Sequence, residues 1–560
     1  MSTKEKYLSW RKNVLDDLDL VSELKNFNED DINRRFSLNL NFGTAGLRGI
    51  MGAGTDRVNI YTVRLVTQSL CNFLRKNYEG NLSVVVAFDS RNKSKIFATE
   101  TARVFCANSI RVFFNKELKP TPVLSYCVRK FNCNAGVMIT ASHNPPEYNG
   151  YKCYGPDGSQ LTDLFALAVY NEIEKIDIFD DVRVINSDDI YRSDFFEIVN
   201  SSIYEKYISE VKKQCLNKNL LRETDLKVVY TPLNGCGREF VIKILSDLGL
   251  KNLFVVKEQE NPDGEFKSCK IPNPELEEAF NFAVLLAREK EADVIIATDP
   301  DSDRVGVKAR HEGDYITVTG NQIGVLILDY ILTLRRKNAQ LPDNPIVLKS
   351  ITSTLMVDAI AKKNFCQVID VLTGFKNIGE KILRLEKSNK KEDFIFAFEE
   401  SCGYLMGTYV RDKDGIAASV FICEMAAYYK KMGITLIDKI NSLYDEYGYY
   451  CEKTLNFDFN DVNSAKELQD AMKKIRSLPL KEFKKVKILR KIDLLKDKLT
   501  NLPKSDVIIL ELDDSSRIIV RPSGTESKIK VYILLSGRIH KNATNFMKDV
   551  ETWIKNILAI

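Results

Sequence analysis

Hydrophobic residues along this chain cluster in short runs that end in polar turns. At three places, Leu82–Arg91, Leu226–Gly237 and Pro345–Thr354, a β-branched run leads through such a turn into helical periodicity. Two more runs, Ala135–Thr140 and Val294–Thr298, predict short buried strands that also run into turns. Because strands that alternate with amphipathic helices build βαβ units, the pattern predicts α/β domains in tandem with mainly parallel sheets.

The C-terminal part of the chain shows a different pattern. Three strand-like segments, Val507–Leu512, Arg517–Val520 and Ile529–Leu535, lie between helical segments at 464–478 and 541–559. Clustered strands of this kind predict a separate α+β domain with antiparallel strands.

The length of the chain, 560 residues, is too great for one hydrophobic core. Changes of pattern near residues 205, 325 and 452 predict where the domains meet. The predicted domains, of which the first three are α/β and the last is α+β, cover residues 1–204, 205–325, 326–452 and 453–560.

Composition and charge narrow the class of protein. Apolar residues make up 44% of the chain and charged residues 28%, which is ordinary for a globular protein. The formal net charge is +4, and Lys and Arg are spread along the chain. Nothing here indicates the basic stripe that a nucleic-acid partner needs.

The cellular location is predicted from three features. Asp16, Asp17 and Asp19 stand where a signal peptide needs its apolar stretch. The most apolar run, Ile323–Leu334, is too short to span a bilayer and contains Asp329. The 12 cysteines form no CxxC pair, which favours reduced thiols. We therefore expect a cytoplasmic protein with no membrane partner.

The loop Thr140–Pro146 (TASHNPP) directly follows a predicted strand. Ser142 can act as a nucleophile there if a base or a cation activates it. The alternative is a polar turn capped by Ser and Asn. Lys152 lies close by in sequence and can serve as an acid or base if its pKa is lowered; the alternative is a solvated surface lysine.

A second loop places Asp299, Asp301 and Asp303 at alternate positions after a strand. Three carboxylates so spaced can converge on one hard cation, and Mg²⁺ prefers such oxygen ligands. A Ca²⁺ site of the EF-hand type would need Gly at loop position 6 and Glu at position 12, where Arg304 and Arg310 stand instead. The pattern therefore favours Mg²⁺.

Two more loops carry polar groups that suit the binding of hydroxyls or of an anion. Phe398–Tyr404 (FEESCGY) carries carboxylates that can accept hydrogen bonds from vicinal sugar hydroxyls, although acidic loops after strands are common. Arg521–Lys528 (RPSGTESK) carries a guanidinium, two hydroxyls and Gly524, which suits a phosphate cradle; the alternative is a tight turn between two strands.

With these four loops in this order, the chain resembles the α-D-phosphohexomutase superfamily, and within it the phosphoglucomutase-2 and phosphopentomutase branch. The resemblance runs from Gly43–Gly49 (GTAGLRG) to Arg521–Tyr532. It implies an α/β fold with four domains around a central cleft. Three of these are related α/β domains with mixed sheets, and the C-terminal one is α+β.

The resemblance also implies roles for single residues. Ser142 matches the serine that carries the phosphoryl group, with His143, Lys152 and Arg48 as its catalytic neighbours. The metal loop would hold one Mg²⁺ per chain through Ser142, Asp299, Asp301 and Asp303. The implied substrate-binding residues are Thr373, Gly374, Lys376, Glu399, Ser401, Arg304, Arg521, Ser523, Gly524 and Thr525. Ser302 and Ser527 depart from the family's usual residues, but neither change removes a ligand.

The implied activity is that of a phosphoglucomutase, which interconverts glucose 1-phosphate and glucose 6-phosphate. Phosphorylated Ser142 would give its phosphoryl group to the substrate, forming glucose 1,6-bisphosphate, and then take back the other one. That bisphosphate is also the expected activator, and sugar phosphates are the expected partners. The sequence leaves open whether the protein is a monomer or a dimer.

Three other functions fit part of the pattern. A phosphopentomutase acting on ribose 1-phosphate, or a glucose 1,6-bisphosphate synthase, would use the same residues. A non-catalytic scaffold phosphoprotein would retain the fold, although the intact loops argue against it. A Ca²⁺-binding module at 299–303 would prefer Ca²⁺ to Mg²⁺.

Overall fold

The hydrophobic runs form strands of four sheets in the computed structural model. The structure describes residues 1–40, 42–43, 46–459, 464–479, 482–483, 486–523, 528–536 and 543–558. Within these residues, three sheets lie inside the first three predicted domains, and the fourth lies in the last one except that its first strand begins at Cys451, two residues before the predicted boundary.

The first sheet contains the strand that precedes the Ser142 loop. Its strands are β1 Phe42–Gly43, β2 Gly46–Ile50, β3 Ser83–Phe88, β4 Arg111–Phe114, β5 Ala135–Ile139, β6 Tyr148–Tyr154 and β7 Phe196–Ile198. They are arranged in the order β1-β2-β6-β5-β3-β4-β7. β5, β3, β4 and β7 run parallel, whereas β6, β2 and β1 add antiparallel partners at one side.

Helices cover both the N-terminal segment and the connections of this sheet. They are α1 Thr3–Asn13, α2 Leu18–Asn26, α3 Glu29–Phe36, α4 Ile60–Asn77, α5 Ser94–Ala107, α6 Thr121–Lys130 and α7 Asp163–Ile173. α4 begins at a capping box in which the Asn59 side chain accepts from Thr62 N–H at 3.0 Å. Most of the surface of α4 is buried, and the helix packs against α5 and α7.

The second sheet has the order β12-β11-β10-β8-β9. Its strands are β8 Lys227–Thr231, β9 Asn252–Val255, β10 Val294–Thr298, β11 Val305–His311 and β12 Asp314–Val318. The accompanying helices are α8 Ser202–Gln214, α9 Leu220–Glu223, α10 Arg238–Asp247, α11 Lys257–Glu260 and α12 Asn281–Lys290. β10 is parallel to β8 and antiparallel to β11, so the 299–304 loop is a tight connection between neighbouring strands.

The third sheet has the order β14-β13-β15-β16, with only β15–β16 antiparallel among its described pairs. Its strands are β13 Ile346–Ser350, β14 Gln367–Val371, β15 Phe394–Glu399 and β16 Gly403–Leu405. Its helices are α13 Gly320–Lys337, α14 Met356–Lys363, α15 Phe375–Lys387, α16 Gly415–Lys431 and α17 Leu436–Tyr447.

The fourth sheet is antiparallel throughout its described pairs, as predicted for an α+β domain. Its strands are β17 Cys451–Asp458, β18 Glu482–Phe483, β19 Val486–Asp493, β20 Ile508–Leu512, β21 Arg517–Pro522 and β22 Lys528–Leu535. The helices α18 Ser464–Ser477 and α19 Ala543–Leu558 contact each other and pack on this sheet.

Two expectations differ from the structure. The sheets, which the strand pattern predicted to be mainly parallel, are mixed, and this confirms the mixed sheets that the family resemblance implied; hairpin strands such as β6, β11 and β16 extend the parallel cores. The predicted boundary at 325 lies inside α13, which begins at Thr319, where the side chain accepts from Gln322 N–H at 3.2 Å. The remaining domain bounds stay predictions.

The buried apolar side chains connect the domains unequally. One continuous cluster runs through the first three domains, joining residues such as Tyr126, Tyr230 and Tyr330. The fourth domain has its own cluster and meets the third through a small one that includes Ile351 and Tyr532. Among the described helices, none has the length and apolar character needed to cross a membrane.

Candidate active site

The metal-loop carboxylates of the second domain lie together in a buried position. One oxygen from each of Asp299, Asp301 and Asp303 falls within 4.8 Å of the others. The Oδ1 atoms of Asp301 and Asp303 are buried and have no hydrogen-bond partner. Unpaired buried carboxylate oxygens are costly, so this arrangement fits a hard divalent cation.

Tight packing shapes this loop. Ser302 adopts φ +55°, a left-handed conformation that favours glycine. Gly235 of the neighbouring turn approaches so closely that a Cβ there would stand 2.4 Å from Pro300 Cα. Cys236 N–H also donates to Pro300 O at 2.8 Å. The absence of a side chain at Gly235 therefore allows the backbone of the 299–304 loop to pack against this turn.

Side chains from the other domains reach the same carboxylates. Lys152 Nζ lies 2.7 Å from Asp301 Oδ2 and 3.3 Å from Asp303 Oδ2. Lys413 Nζ lies 3.3 Å from Asp303 Oδ2, and Thr121 Oγ1 donates to Asp301 Oδ2 at 2.8 Å. The loop is thus the meeting point of the first three domains.

These surroundings shift the pKa values of Asp299 and Asp303 in opposite directions. Burial raises the pKa of Asp299, and repulsion from Asp301 and Asp303 raises it further. Burial also acts to raise the pKa of Asp303, but Lys413, Lys152 and Arg304 outweigh it and lower the value. Asp303 is therefore ionised, and a bound cation would compete with Lys152 and Lys413 for its carboxylate.

Lys152 behaves differently from the sequence expectation. Burial acts to lower its pKa, but the attraction of Asp301 and Asp303 prevails and raises it. The lysine is therefore positively charged here, which suits a proton donor or an electrostatic role rather than a neutral base. Its role as an acid or base remains a prediction.

Ser142 projects from the β5–β6 loop onto the metal loop. Its Oγ donates to Asp299 Oδ2 at 2.7 Å, across the boundary between the first and second domains. The residue is buried and adopts φ +53°. Such a left-handed serine is uncommon and indicates a backbone that its surroundings hold in place.

His143 and Arg48 lie beside the serine. His143 Nδ1 is 3.2 Å from Ser142 Oγ, and burial, together with Arg304 and Arg48, lowers the pKa of the imidazole well below its usual value. Arg48 on β2 donates to Asn144 Oδ1 at 2.9 Å. Because β2, β6 and β5 are neighbours, Arg48, Lys152 and the serine loop come together at one edge.

The third domain supplies loops at the ends of two parallel strands. Gly374 N–H, in the turn after β14, donates to Glu399 Oε1 at 2.5 Å at the end of β15. Burial raises the pKa of Glu399 to about 7, although Lys413 opposes this. Thr373 lies in the turn with Gly374, and Ser401 lies between β15 and β16.

Lys376 connects this domain to the first. Its Nζ donates to Asp163 Oδ1 at the start of α7. Burial lowers the pKa of Lys376, Asp163 opposes this, and Arg521 of the fourth domain adds to the lowering. Arg521 also hydrogen-bonds Tyr532, and the charge of Glu399 acts to raise the pKa of the Tyr532 phenol. The fourth domain therefore approaches the sugar-binding loops.

The predicted phosphate loop is only partly described. Arg521 ends β21 together with Pro522, and Ser523 N–H donates to Lys528 O at 2.7 Å. Gly524 and Thr525 lie outside the described residues.

Sequence reasoning missed several residues of this site. Asp89 and Arg91 follow β3 directly and contact the Ser142 loop; polar residues at a strand end were the available signal. Thr121 and Lys413 touch the aspartates, and Glu275 accepts from Arg304 at 2.6 Å. No local pattern marks these three, because they reach the site only through the fold.

Family models match most of the chain. Domain I of "Phosphoglucomutase/phosphomannomutase, alpha/beta/alpha" matches residues 39–179, domain II matches 205–313 and domain III matches 319–447. These ranges contain the described serine, metal and sugar-side loops.

Known proteins resemble the chain over nearly its full length. A protein named phosphoglucomutase from Staphylococcus aureus (strain MRSA252) is 34% identical over 550 residues, covering 96% of each chain. The solved structure of a putative phosphomannomutase from Thermus thermophilus has a TM-score of 0.69 at 20% identity, covering 92% of this chain and 99% of that one. The open form of pp63/parafusin, a phosphoglucomutase from Paramecium, has a TM-score of 0.67 at 20% identity, covering 92% and 94%. The chain belongs to the phosphoglucomutase/phosphomannomutase family.

Proposed function

We propose that this protein is a phosphoglucomutase that interconverts glucose 1-phosphate and glucose 6-phosphate through a phosphorylated Ser142. The observation that carries the proposal is the 2.7 Å contact between Ser142 Oγ and Asp299 Oδ2 in a buried carboxylate cluster. A hydroxyl nucleophile thereby meets a cation site, which is what phosphoryl transfer requires. The curated relatives that carry the name phosphoglucomutase support the same activity.

The metal expected in this site is Mg²⁺. Asp299, Asp301 and Asp303 would hold it, together with the phosphate on Ser142. The two unpartnered Oδ1 atoms of Asp301 and Asp303 support this assignment. When bound, Mg²⁺ supplies positive charge that polarises the phosphoryl oxygens.

The reaction consists of two phosphoryl transfers, which side chains of this protein assist. In the first half-reaction, the bond from Ser142 Oγ to phosphorus breaks while a substrate hydroxyl oxygen bonds to that phosphorus, and the proton of that hydroxyl ends on Ser142 Oγ, giving glucose 1,6-bisphosphate. In the second half-reaction, the Ser142 hydroxyl oxygen bonds to the other phosphorus, the bond from that phosphorus to the sugar oxygen breaks, and the serine proton ends on the sugar oxygen. Positively charged Lys152 and Arg48 stabilise the charge on the transferring oxygens, and neutral His143 orients Ser142 Oγ.

Substrate binding falls to the third and fourth domains. Glu399 and Ser401 would accept and donate hydrogen bonds at the sugar hydroxyls, with Thr373 and Gly374 beside them. Arg521 and Lys376 would hold the phosphate that is not transferred, together with Ser523, Gly524 and Thr525. The influence of Arg521 on the pKa of Lys376 supports a shared anion site. Arg304, beside the triad, would face the substrate as well.

The second candidate is a phosphopentomutase, which the same serine and aspartates would serve. The Glu399-Glu400-Ser401 sequence resembles the glucose-type loop more than the mannose-type loop, a likeness that does not separate glucose 1-phosphate from ribose 1-phosphate. Glu400 accepts from Ser350 and Thr352, each at 2.8 Å, which fixes the loop that presents Glu399.

Turnover of glucose 1-phosphate and ribose 1-phosphate separates these candidates. We expect kcat/KM at saturating Mg²⁺ and glucose 1,6-bisphosphate to favour glucose 1-phosphate by about tenfold or more, because one hydrogen-bonded hydroxyl contributes at least this much discrimination. Coupled assays of each 6- or 5-phosphate product measure it. A strong preference for the pentose would overturn the choice of sugar, and net release of the bisphosphate from two donors would indicate the synthase.

The pH dependence of substrate binding tests the role of Glu399. Because its pKa is raised to about 7, the carboxylate is fully ionised only above that pH. An ionised carboxylate is the better acceptor for sugar hydroxyls, so KM for glucose 1-phosphate should rise as pH falls from 8 to 6 by about tenfold. Glu399→Gln should raise KM at pH 8 and flatten this profile.

The control for this prediction is Glu392→Gln, at an exposed glutamate of the same domain. It should keep the wild-type profile of KM against pH. A Glu399→Gln protein whose KM still rises between pH 8 and 6 as in wild type would rule Glu399 out as the titrating group.

A further inference from the structure

Arg91 is enclosed beneath the Ser142 loop. It follows β3, and its side chain has no exposed surface. Its Nη2 donates to the carbonyls of Ser142, at 2.6 Å, and Asn144. Its Nη1 donates to the carbonyls of Pro145 at 2.8 Å and Tyr148 at 3.1 Å. One planar guanidinium thus holds four carbonyls of the loop, which an ammonium group with a single nitrogen cannot do in this geometry.

Asp89 holds both Arg91 and the start of the same loop. Its Oδ1 accepts from Arg91 N–H at 3.0 Å and from Ser94 Oγ at 2.7 Å. Its Oδ2 accepts from Thr140 Oγ1 at 2.6 Å, and Thr140 Oγ1 accepts from Ser142 N–H at 2.7 Å. The left-handed conformation of Ser142 is therefore fixed from its N–H side and from its carbonyl side.

A loop of the second domain covers Arg91 from the other side. The ring of Phe266, which is fully buried, lies 4.9 Å from the Arg91 guanidinium carbon. Two residues earlier, Gly264 packs on the turn beside Arg91, where a Cβ would stand 2.4 Å from Asn92 Oδ1. Asn92 Nδ2 donates to Glu265 Oε1. The second domain, which carries the 299–303 loop, therefore also packs against Arg91 and the turn that follows it.

We propose that Arg91 and Phe266 are positioning residues that set the place of Ser142 relative to the metal loop. Arg91 fixes the serine loop within the first domain, and Phe266 fixes Arg91 to the second domain. The inference rests on the proposed function, because it assigns a role in that phosphoryl transfer. Neither residue contacts the carboxylates 299, 301 and 303 through any described hydrogen bond. Arg91 also attracts Asp299 and Asp301 through space, so a substitution that keeps its charge isolates the effect on the backbone of the loop.

The test compares Arg91→Lys and Phe266→Leu with wild type in three measurements. Single-turnover transfer from phosphorylated Ser142 to glucose 1-phosphate is followed by intact mass. KM for glucose 1-phosphate is measured in steady state. Hydrogen exchange is measured for the backbone N–H groups within 142–148, which are those of every residue except Pro145 and Pro146. Arg103→Lys, which changes an arginine bonded to Ile185 O at 2.8 Å elsewhere in the first domain, and Phe97→Leu are the matched controls.

We expect Arg91→Lys to slow transfer by about 100-fold, because a displacement near 1 Å costs about that much. Phe266→Leu should slow it by about tenfold, since it keeps Arg91 but loosens its cover. KM should stay within about threefold of wild type in both, as the substrate contacts are unchanged. Amide exchange at 142–148 should be faster in both variants and unchanged in the controls. If either residue only stabilised the fold, its variant would have a lower melting temperature, but it would not combine slower transfer, an unchanged KM and faster exchange at 142–148.

The proposal is overturned if the folded variants transfer at the wild-type rate with wild-type exchange at 142–148. It is also overturned if their loss appears wholly in KM. If Arg91→Lys does not fold, Phe266→Leu decides by the same criteria. If wild-type Ser142 accepts no phosphoryl group from glucose 1,6-bisphosphate, the proposed function fails, while the exchange data still decide whether Arg91 and Phe266 order the loop.

Discussion

Replacing Ser142 with alanine should lower kcat for glucose 1-phosphate conversion by about 10⁴-fold or more, equivalent to about 5 kcal/mol in the barrier. The reason is that Ser142 Oγ is the hydroxyl in contact with Asp299 at the carboxylate cluster. Without it, the covalent route through a phosphoserine is closed. The fall is measured in a coupled assay of glucose 6-phosphate.

The same variant gives a direct reading of the intermediate. Wild-type protein incubated with glucose 1,6-bisphosphate should gain the mass of one phosphoryl group, and Ser142→Ala should gain none. Ser69→Ala is the matched control, since Ser69 is a buried serine of the same domain that donates to Val169 O. A phosphoryl group that persists in Ser142→Ala would place the carrier elsewhere.

The second large effect is expected for Asp301→Asn, which should lower kcat by about 10³-fold and weaken Mg²⁺ binding. Asp301 offers a buried Oδ1 without a partner, while its Oδ2 takes Lys152 and Thr121. The amide has the same shape but removes one negative charge from the cation site. Activity is measured against Mg²⁺ concentration, and binding by isothermal titration.

Asp314→Asn, at an exposed aspartate of the same domain that pairs with Arg288, is the control and should leave both quantities unchanged. Wild-type activity at saturating Mg²⁺ in Asp301→Asn would exclude the triad as the cation site. The titration is repeated with Ca²⁺, because a Ca²⁺-binding module would bind Ca²⁺ more tightly than Mg²⁺.

The sequence predicted those parts of the molecule that depend on local pattern. Apolar runs such as Ala135–Thr140 and Val294–Thr298 became buried strands, and the chemistry lies where these strands end. Polar residues that follow a buried strand lie at the edge of the sheet, where they can contact a ligand. Loops after strands therefore often carry functional residues. The strand pattern therefore points to Ser142 and Asp299, and in the structure the Oγ of one lies 2.7 Å from the Oδ2 of the other.

The parts that were not predicted depend on contacts between distant segments. Lys413 reaches Asp303 because the turn before α16 packs on the second domain, and nothing around Lys413 in the sequence indicates this. The direction of the Lys152 pKa shift was also missed, because it depends on the balance between burial and two particular carboxylates. Charge balance of this kind appears only when all partners are placed.

The division of the buried apolar side chains among the domains affects which domain can be exchanged with that of a relative. A single cluster joins the first three domains, while the fourth keeps its own and touches the third through a small group around Ile351 and Tyr532. A chimera that exchanges one of the first three domains with that of a relative would have to reconcile many interlocking side chains at once. A chimera joined near Cys451, where β17 begins, would have few to reconcile. Exchange of the fourth domain would therefore disturb the fewest packing contacts around Ser142 and the carboxylates 299, 301 and 303.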